Sequence, residues 1–308
     1  MLLFFFGIRV RIYAQMLTGD ANIEFADKLN QTASGGVDKS HTITQINKPN
    51  YLQWYNIFLH APLDIFDFGK NVINKNSIEP LAFLTLSTAA AMLVDQKEWQ
   101  NTKIVTNRSH ILPGITKGIV NIGDGRWQFG AAGVGVLSGL IFQNRKIVNT
   151  SFESIEAILS TGLFVQVAKR ITGRQSPAVA NRSSGIWELF VDPVEYQHDQ
   201  PNFYSFPSGH LAGAAAILTV ITENYPEIKW LKPVSYIILG GLGFSLVAND
   251  MHWYSDFPVG LATGYLFGEI ISSRYEKNHN DESEQTDKLS IEPLIYPNKI
   301  GVFLSYSL

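Results

Sequence analysis

The chain contains no cysteine among its 308 residues, so disulfides, thiolate nucleophiles and cysteine metal sites are excluded. An oxidising compartment is compatible with that absence. Charge is also scarce: 17% of residues are Asp, Glu, Lys or Arg, against roughly 25% in an ordinary soluble domain. Net charge is −3 and the sequence pI is about 6.2, which lacks the basic excess of a nucleic-acid binder. Long apolar runs are missing too. Six apolar stretches are present: Leu81–Val94, Phe129–Phe142, Ile155–Ala168, Leu211–Thr222, Val234–Ala248 and Phe257–Ile271. Each falls short of the roughly 17 residues that a membrane span needs at minimum. Glu153 precedes the third stretch and Glu156 interrupts it.

What is there reads as helix. The six stretches are rich in Ala, Gly, Leu and Ile and are separated by polar or Pro/Gly punctuation. The fold expected is all-α, a bundle of about six core helices within residues 77–275. Small residues such as those of "GAAGVGVLSG" allow close helix approach in a compact bundle and in a membrane bundle alike. Residues 1–17 carry a short apolar run, Leu2–Ile8, followed by Arg9 and Arg11, and read as a signal or anchor segment. Residues 18–76 form an N-terminal segment that includes the aromatic, amphipathic stretch 51–68. Residues 276–288 read as a charged linker. In the closing 289–308 segment, two short runs flank Tyr296-Pro297-Asn298-Lys299 and predict a short C-terminal β-hairpin. "NIGDGRWQFG" (121–130) reads as a turn into a helix rather than a nucleotide loop, because no strand precedes it.

Three segments carry chemistry. In "FYSFPSGHLAGAAAILTVITE" (203–223) a Ser-Gly-His turn sits at a helix start, which suits either an ordinary Ser208 cap or an anion site. "KRITGRQSP" (169–177) places Lys169 at the end of a helix that Thr172-Gly173 terminates, with Arg174 in the following loop. "HWYSD" (252–256) spaces His252 and Asp256 at i, i+4, on one face if helical. A carboxylate beside a histidine holds its tautomer, as a base or nucleophile requires. His41, His60, His110, His198 and His279 show no ligand spacing, and no metal site is assigned.

Together the segments resemble the type 2 phosphatidic acid phosphatase (PAP2) superfamily, which also contains bacterial acid phosphatases and vanadium haloperoxidases. That pattern is Lys-x6-Arg-Pro, then Pro-Ser-Gly-His, then Ser-Arg-x5-His-x3-Asp. Lys169 and Pro177 fit the first piece, residues 207–210 the second, and Ser245, His252 and Asp256 the third. The resemblance implies a metal-independent phosphomonoesterase. His252 would attack phosphorus and Asp256 would orient it, while His210 would protonate the leaving group. Lys169, Ser208 and the Gly209 N–H would bind phosphate oxygens. It implies no cofactor, with vanadate entering only in the haloperoxidase alternative. The expected partner is a phosphorylated lipid or a small phosphomonoester, with membrane association, no nucleic acid, and a place in the bacterial cell envelope, membrane-associated or periplasmic.

Two motif arginines are absent: Ser176 and Leu246 stand in their places. Arg174 is the expected substitute in the phosphate grip, with Arg182 a second candidate. A third alternative is a phosphate- or lipid-binding homologue of little or no activity.

Overall fold

The computed structural model of the protein describes residues 56–281, 289–296 and 299–306. Among these, nine α-helices follow one another in a unit that runs from Asn50 to Asp281. They are α1 (Asn56–Val72), α2 (Ile78–Asn107), α3 (Leu112–Gly123), α4 (Gly125–Ile141), α5 (Arg145–Thr172), α6 (Pro193–His198), α7 (Gly209–Asn224), α8 (Leu231–Ala248) and α9 (Phe257–Asp281). The six apolar stretches sit in α2, α4, α5, α7, α8 and α9.

Local chemistry sets the boundaries. Asp124 and Asn144 cap α4 and α5 by accepting the N–H groups of Arg126 at 2.9 Å and Ile147 at 3.1 Å. Gly173 ends α5 in the left-handed region at φ 47°. A Cβ there would stand 2.0 Å from the Glu188 carbonyl, so no other residue fits that stop.

Packing then joins the helices. Leu211 of α7, Leu242, Leu246 and Val247 of α8 and Phe257 of α9 form one buried cluster, with Ile119 and Val120 of α3 against it. A second cluster ties Ala157 of α5, Ala216 and Val220 of α7, and Ile271 and Tyr275 of α9. Helix α1 belongs to this core: Phe68 stacks on Phe267 with centroids 4.7 Å apart and meets Phe164 at 4.6 Å. A buried clamp reinforces it, in which Arg274 pairs with Asp64 and with Glu156 at 2.9 Å. The aromatic face read at 51–68 is therefore part of the bundle over the residues described.

The apolar stretch ending at Val94 continues as helix to Asn107. Segments Lys75–Asn107 and Leu231–Ala248 are long and apolar enough to cross a membrane. The shortness of the apolar runs thus understated the helices that carry them. Outside the helical unit, β1 (Leu289–Tyr296) and β2 (Lys299–Tyr306) form an antiparallel pair, with Leu289 opposite Tyr306. The signal or anchor expected at 1–17, residues 18–55 and most of the expected linker lie outside the described residues.

Candidate active site

Four pieces of chain meet at one end of the bundle: the last turn of α5, the first turn of α7, the α8–α9 loop and the α3–α4 turn. Lys169 lies in the last turn of α5 and is 6% exposed. Its Nζ is 5.3 Å from the Tyr204 ring centre and 3.6 Å from where a Cβ on Gly209 would stand. The lysine therefore faces the N-terminus of α7. Burial lowers Lys169 to about 8, while the charge of Asp256 opposes the shift.

Ser208 is buried and caps α7, its Oγ accepting from the Leu211 N–H at 3.5 Å. That leaves the hydroxyl proton free to donate. The Ser208 N–H donates to the Asp256 carbonyl at 3.1 Å, locking the two motif loops together. The cap and the anion site are thus the same turn. His210 follows in the first turn of α7, half-buried, with its ring 5.7 Å from that of His252 at 71°. Behind it, the α3–α4 turn fits only because residue 123 is glycine. A Cβ there would come within 2.7 Å of the His210 Cβ. Burial, then the positive potential of His252 and Lys169, pushes His210 down to about 3.

His252 is fully buried. Its Nδ1 lies 2.7 Å from the Ser205 carbonyl oxygen and 3.4 Å from Asp256 Oδ2. A carbonyl oxygen only accepts, so Nδ1 carries the proton and Nε2 keeps its lone pair. Nε2 has no hydrogen-bond partner among the described residues. Burial lowers the His252 pKa, with Asp256 working against it. The expected i, i+4 helical face is not the geometry found. His252 and Asp256 meet across a 3₁₀ turn, Tyr254–Asp256, in which Asp256 Oδ2 accepts the Trp253 N–H at 2.8 Å. Asp256 also accepts from Ser205 Oγ at 2.6 Å and from Arg174 Nη1 at 2.5 Å. Burial alone would raise its carboxyl pKa, but the charge of Arg174 and the hydrogen bonds bring it below the ordinary range.

Arg174 stands elsewhere than expected. It is fully buried, and its guanidinium donates to Asp95, Asp256, Ser255 and the Ser184 carbonyl. It holds the loop behind the nucleophile, so a phosphate-gripping role does not fit this geometry. Arg182 is exposed. Leu246 is fully buried in the core cluster among Leu211, Leu242 and Phe257. Ser176 is buried, with its hydroxyl against Tyr204. Sequence reasoning missed Asp95, Ser205, Ser255 and Tyr204, whose ring stands edge-on to His252 at 5.8 Å. The Ser205 hydroxyl precedes the Pro-Ser-Gly-His turn closely enough to have been suspected.

An apolar cavity of about 370 Å³ opens one turn deeper, lined by Ile122, Trp127, Ala131, Ala214, Ile217 and Ile238 among others. It lies between α3, α4, α7 and α8, and Ala214 is one helical turn below His210.

Against known proteins, residues 152–280 match the PAP2 superfamily. A lipid A 1-phosphatase of Porphyromonas gingivalis is 37% identical over 67 residues, 21% of this chain and 15% of its own length. An undecaprenyl-diphosphatase of Sulfolobus acidocaldarius is 29% identical over 85 residues, 27% of this chain and 37% of its own length. The chain therefore spans well under half the length of either curated relative. Among solved structures, Aquifex aeolicus LpxE matches with TM-score 0.41 and 22% identity, over 56% of this chain and 93% of that one. A transmembrane PAP2 type phosphatidylglycerolphosphate phosphatase from Bacillus subtilis matches with TM-score 0.40 and 17% identity, over 73% and 96%. The stretch that matches the PAP2 superfamily, residues 152–280, is the one that supplies Lys169, both histidines and Asp256.

Proposed function

We propose that the protein is a phosphatase acting on a lipid phosphate through a phosphohistidine at His252. The observation that carries this reading is the state of His252: Nδ1 protonated and committed to Ser205, Nε2 buried and free, with the His210 ring 5.7 Å away. Such a nitrogen is a nucleophile held in one tautomer.

In the first half-reaction the Nε2 lone pair forms the bond to phosphorus as the ester P–O bond breaks. The leaving oxygen takes a proton from His210. His210 is neutral on its own; a phosphate dianion bound beside it opposes that shift, so His210 takes up a proton from solvent as the substrate binds. In the second half-reaction neutral His210 takes a proton from water. The water oxygen attacks phosphorus, the P–N bond breaks, and inorganic phosphate leaves. Lys169, the Ser208 hydroxyl and the Gly209 N–H at the start of α7 are the donors placed for the phosphate oxygens. No step requires a metal.

Two features favour a lipid over a soluble ester. The cavity of about 370 Å³ between α3, α4, α7 and α8 presents an almost wholly apolar wall, which suits an acyl or prenyl chain. Two helices also have the length and composition of membrane spans. These features support membrane association, and the place proposed for the protein is a bacterial cell envelope. The two curated relatives are named for phosphate removal from lipids.

The test is phosphate release from a panel of lipid and soluble phosphomonoesters in detergent micelles with chelator present, for wild type and His252→Gln. Turnover that survives chelator and disappears in the variant, with an acid-labile phosphoenzyme in wild type only, is the expected result. Equal inertness of both proteins with retained lipid binding would replace this reading by that of a binding protein. Turnover that needs vanadate, peroxide and halide would replace it by the haloperoxidase reading.

A further inference from the structure

The charged group hardest to explain by packing is Asp95. It sits in α2, next to Leu93 and Val94, which are 89% and 43% exposed, yet its own side chain is completely enclosed. An apolar helix that turns one carboxylate inward has placed it against something. Asp95 Oδ1 accepts the Ser255 N–H at 3.0 Å, and Oδ2 accepts Ser255 Oγ at 2.5 Å and Arg174 Nη2 at 2.7 Å. Arg174 Nη1 in turn donates to Ser255 Oγ at 2.7 Å and Asp256 Oδ1 at 2.5 Å, and Nε donates to the Ser184 carbonyl at 3.0 Å. Trp187 and Trp253 stack near the guanidinium, with ring centres at 4.9 and 5.9 Å.

Asp256 therefore divides its two oxygens. Oδ1 is taken by Arg174, and Oδ2 faces Ser205 Oγ, the Trp253 N–H and His252. Left with Arg174 alone, Asp256 would be a neutralised carboxylate with little field to offer the ring. Asp95 changes that balance, because two carboxylates around one guanidinium leave a net charge of −1 behind His252. A phosphohistidine protonated at Nδ1 is cationic, and this residual charge stabilises it as it forms.

We infer that Asp95 is a positioning residue for His252: through Arg174 it fixes Asp256 and supplies the negative charge that the phosphohistidine requires. This rests on the phosphohistidine reading above. It takes α2, a helix that carries none of the motifs, into the active site. Arg174 becomes the link between the two carboxylates.

The charge arithmetic provides a test that packing alone would not mimic. The other charged or titratable groups facing His252 are Lys169 from α5, His210 from α7 and Tyr204 from the loop before it. None of these is altered by the variants. Asp95→Asn removes the residual charge, so the acid limb of kcat/KM moves to lower pH. It also lowers kcat tenfold or more, with KM within about twofold. Arg174→Gln leaves a net charge of −2 and moves the same limb to higher pH. The double variant returns the charge to −1 and the limb to its wild-type position, whatever residual kcat it retains. Titration of His252 by NMR of ¹³C-histidine-labelled protein in micelles reads the same opposed shifts without turnover. Opposed shifts in a protein that hydrolyses nothing would uphold the positioning network and remove the phosphatase reading. Turnover with a limb and titration unmoved by either charge change would overturn the inference. Should the charge variants fail to fold, Ser255→Ala keeps every charge and removes only the bridging hydroxyl. Slower phosphoenzyme formation at unchanged KM is then expected, and a wild-type rate would overturn the inference.

Discussion

Lys169 is the one lysine or arginine that the described geometry sets against the start of α7, and its titration has a definite sign. Burial brings its pKa down to about 8, so below that pH the ammonium is charged and above it the charge is lost. A phosphate site that depends on it should lose affinity as pH rises: KM for a phosphomonoester is expected to climb above about pH 8. Lys169→Arg should carry that alkaline limb beyond the measurable range, since a guanidinium does not deprotonate there. Lys169→Met should cost about 1.5–3 kcal/mol of phosphate binding, roughly ten- to a hundredfold in kcat/KM. Steady-state kinetics from pH 6 to pH 10 separates these outcomes. Lys169, Ser208, Gly209, His210, His252 and Asp256 were all legible in the sequence because each lies inside a short motif of fixed spacing. Arg174 was misplaced for the opposite reason. Its partner Asp95 is 79 residues earlier, and nothing local announces that α2 folds back onto the loop. The Ser205 carbonyl that fixes the His252 tautomer was equally invisible, because every residue has a carbonyl.

At the scale of helices, the two missing arginines prove to be unlike each other. Ser176 lies in the loop after α5, buried, with its hydroxyl against Tyr204. Leu246 lies on the inner face of α8, fully buried among Leu211, Leu242, Val247 and Phe257. Restoring the motif at 246 should therefore harm the protein. Leu246→Arg buries a charge without a partner in a close-packed cluster, a change expected to cost about 3–5 kcal/mol of stability. Thermal unfolding in detergent should show a large loss with no gain in kcat/KM; a stable variant with improved phosphate affinity would mean that α8 turns that position toward the substrate. Two helices are missing from the sequence reading, the short α6 and the longer α3. "LPGITKGIVNIG" contains three glycines and a proline, each a poor helix former. Tertiary packing overrides that tendency, for Ile119 and Val120 seat α3 on the cluster around Leu242. The apolar residues Leu112, Ile115, Ile119 and Ile122 were a helical signal that composition obscured.

Across the helical unit, apolar side chains point outward as well as inward. Phe83, Leu86 and Leu93 of α2, Leu137 and Ile141 of α4 and Ile237 of α8 are each more than 60% exposed. So broad an apolar exterior on several helices suits a bilayer better than water. The candidate active site lies at one end of this bundle, and the apolar cavity lies one turn deeper, against the side of α7. A lipid phosphate fits that order, with its headgroup at the histidines and the first carbons of one chain between α4 and α7. Ala131 tests the arrangement without disturbing the core, because it lines the cavity from an exposed position on α4. Ala131→Trp should fill much of the space while leaving Lys169, His210 and His252 untouched. KM for a long-chain lipid phosphate should then rise several-fold, whereas hydrolysis of a short, water-soluble phosphomonoester should stay at its wild-type rate. Equal loss on both substrates would mean that the tryptophan disturbs the histidines themselves. No loss on either would mean that the chain lies elsewhere along the bundle, and the cavity would cease to be a reason for preferring a lipid.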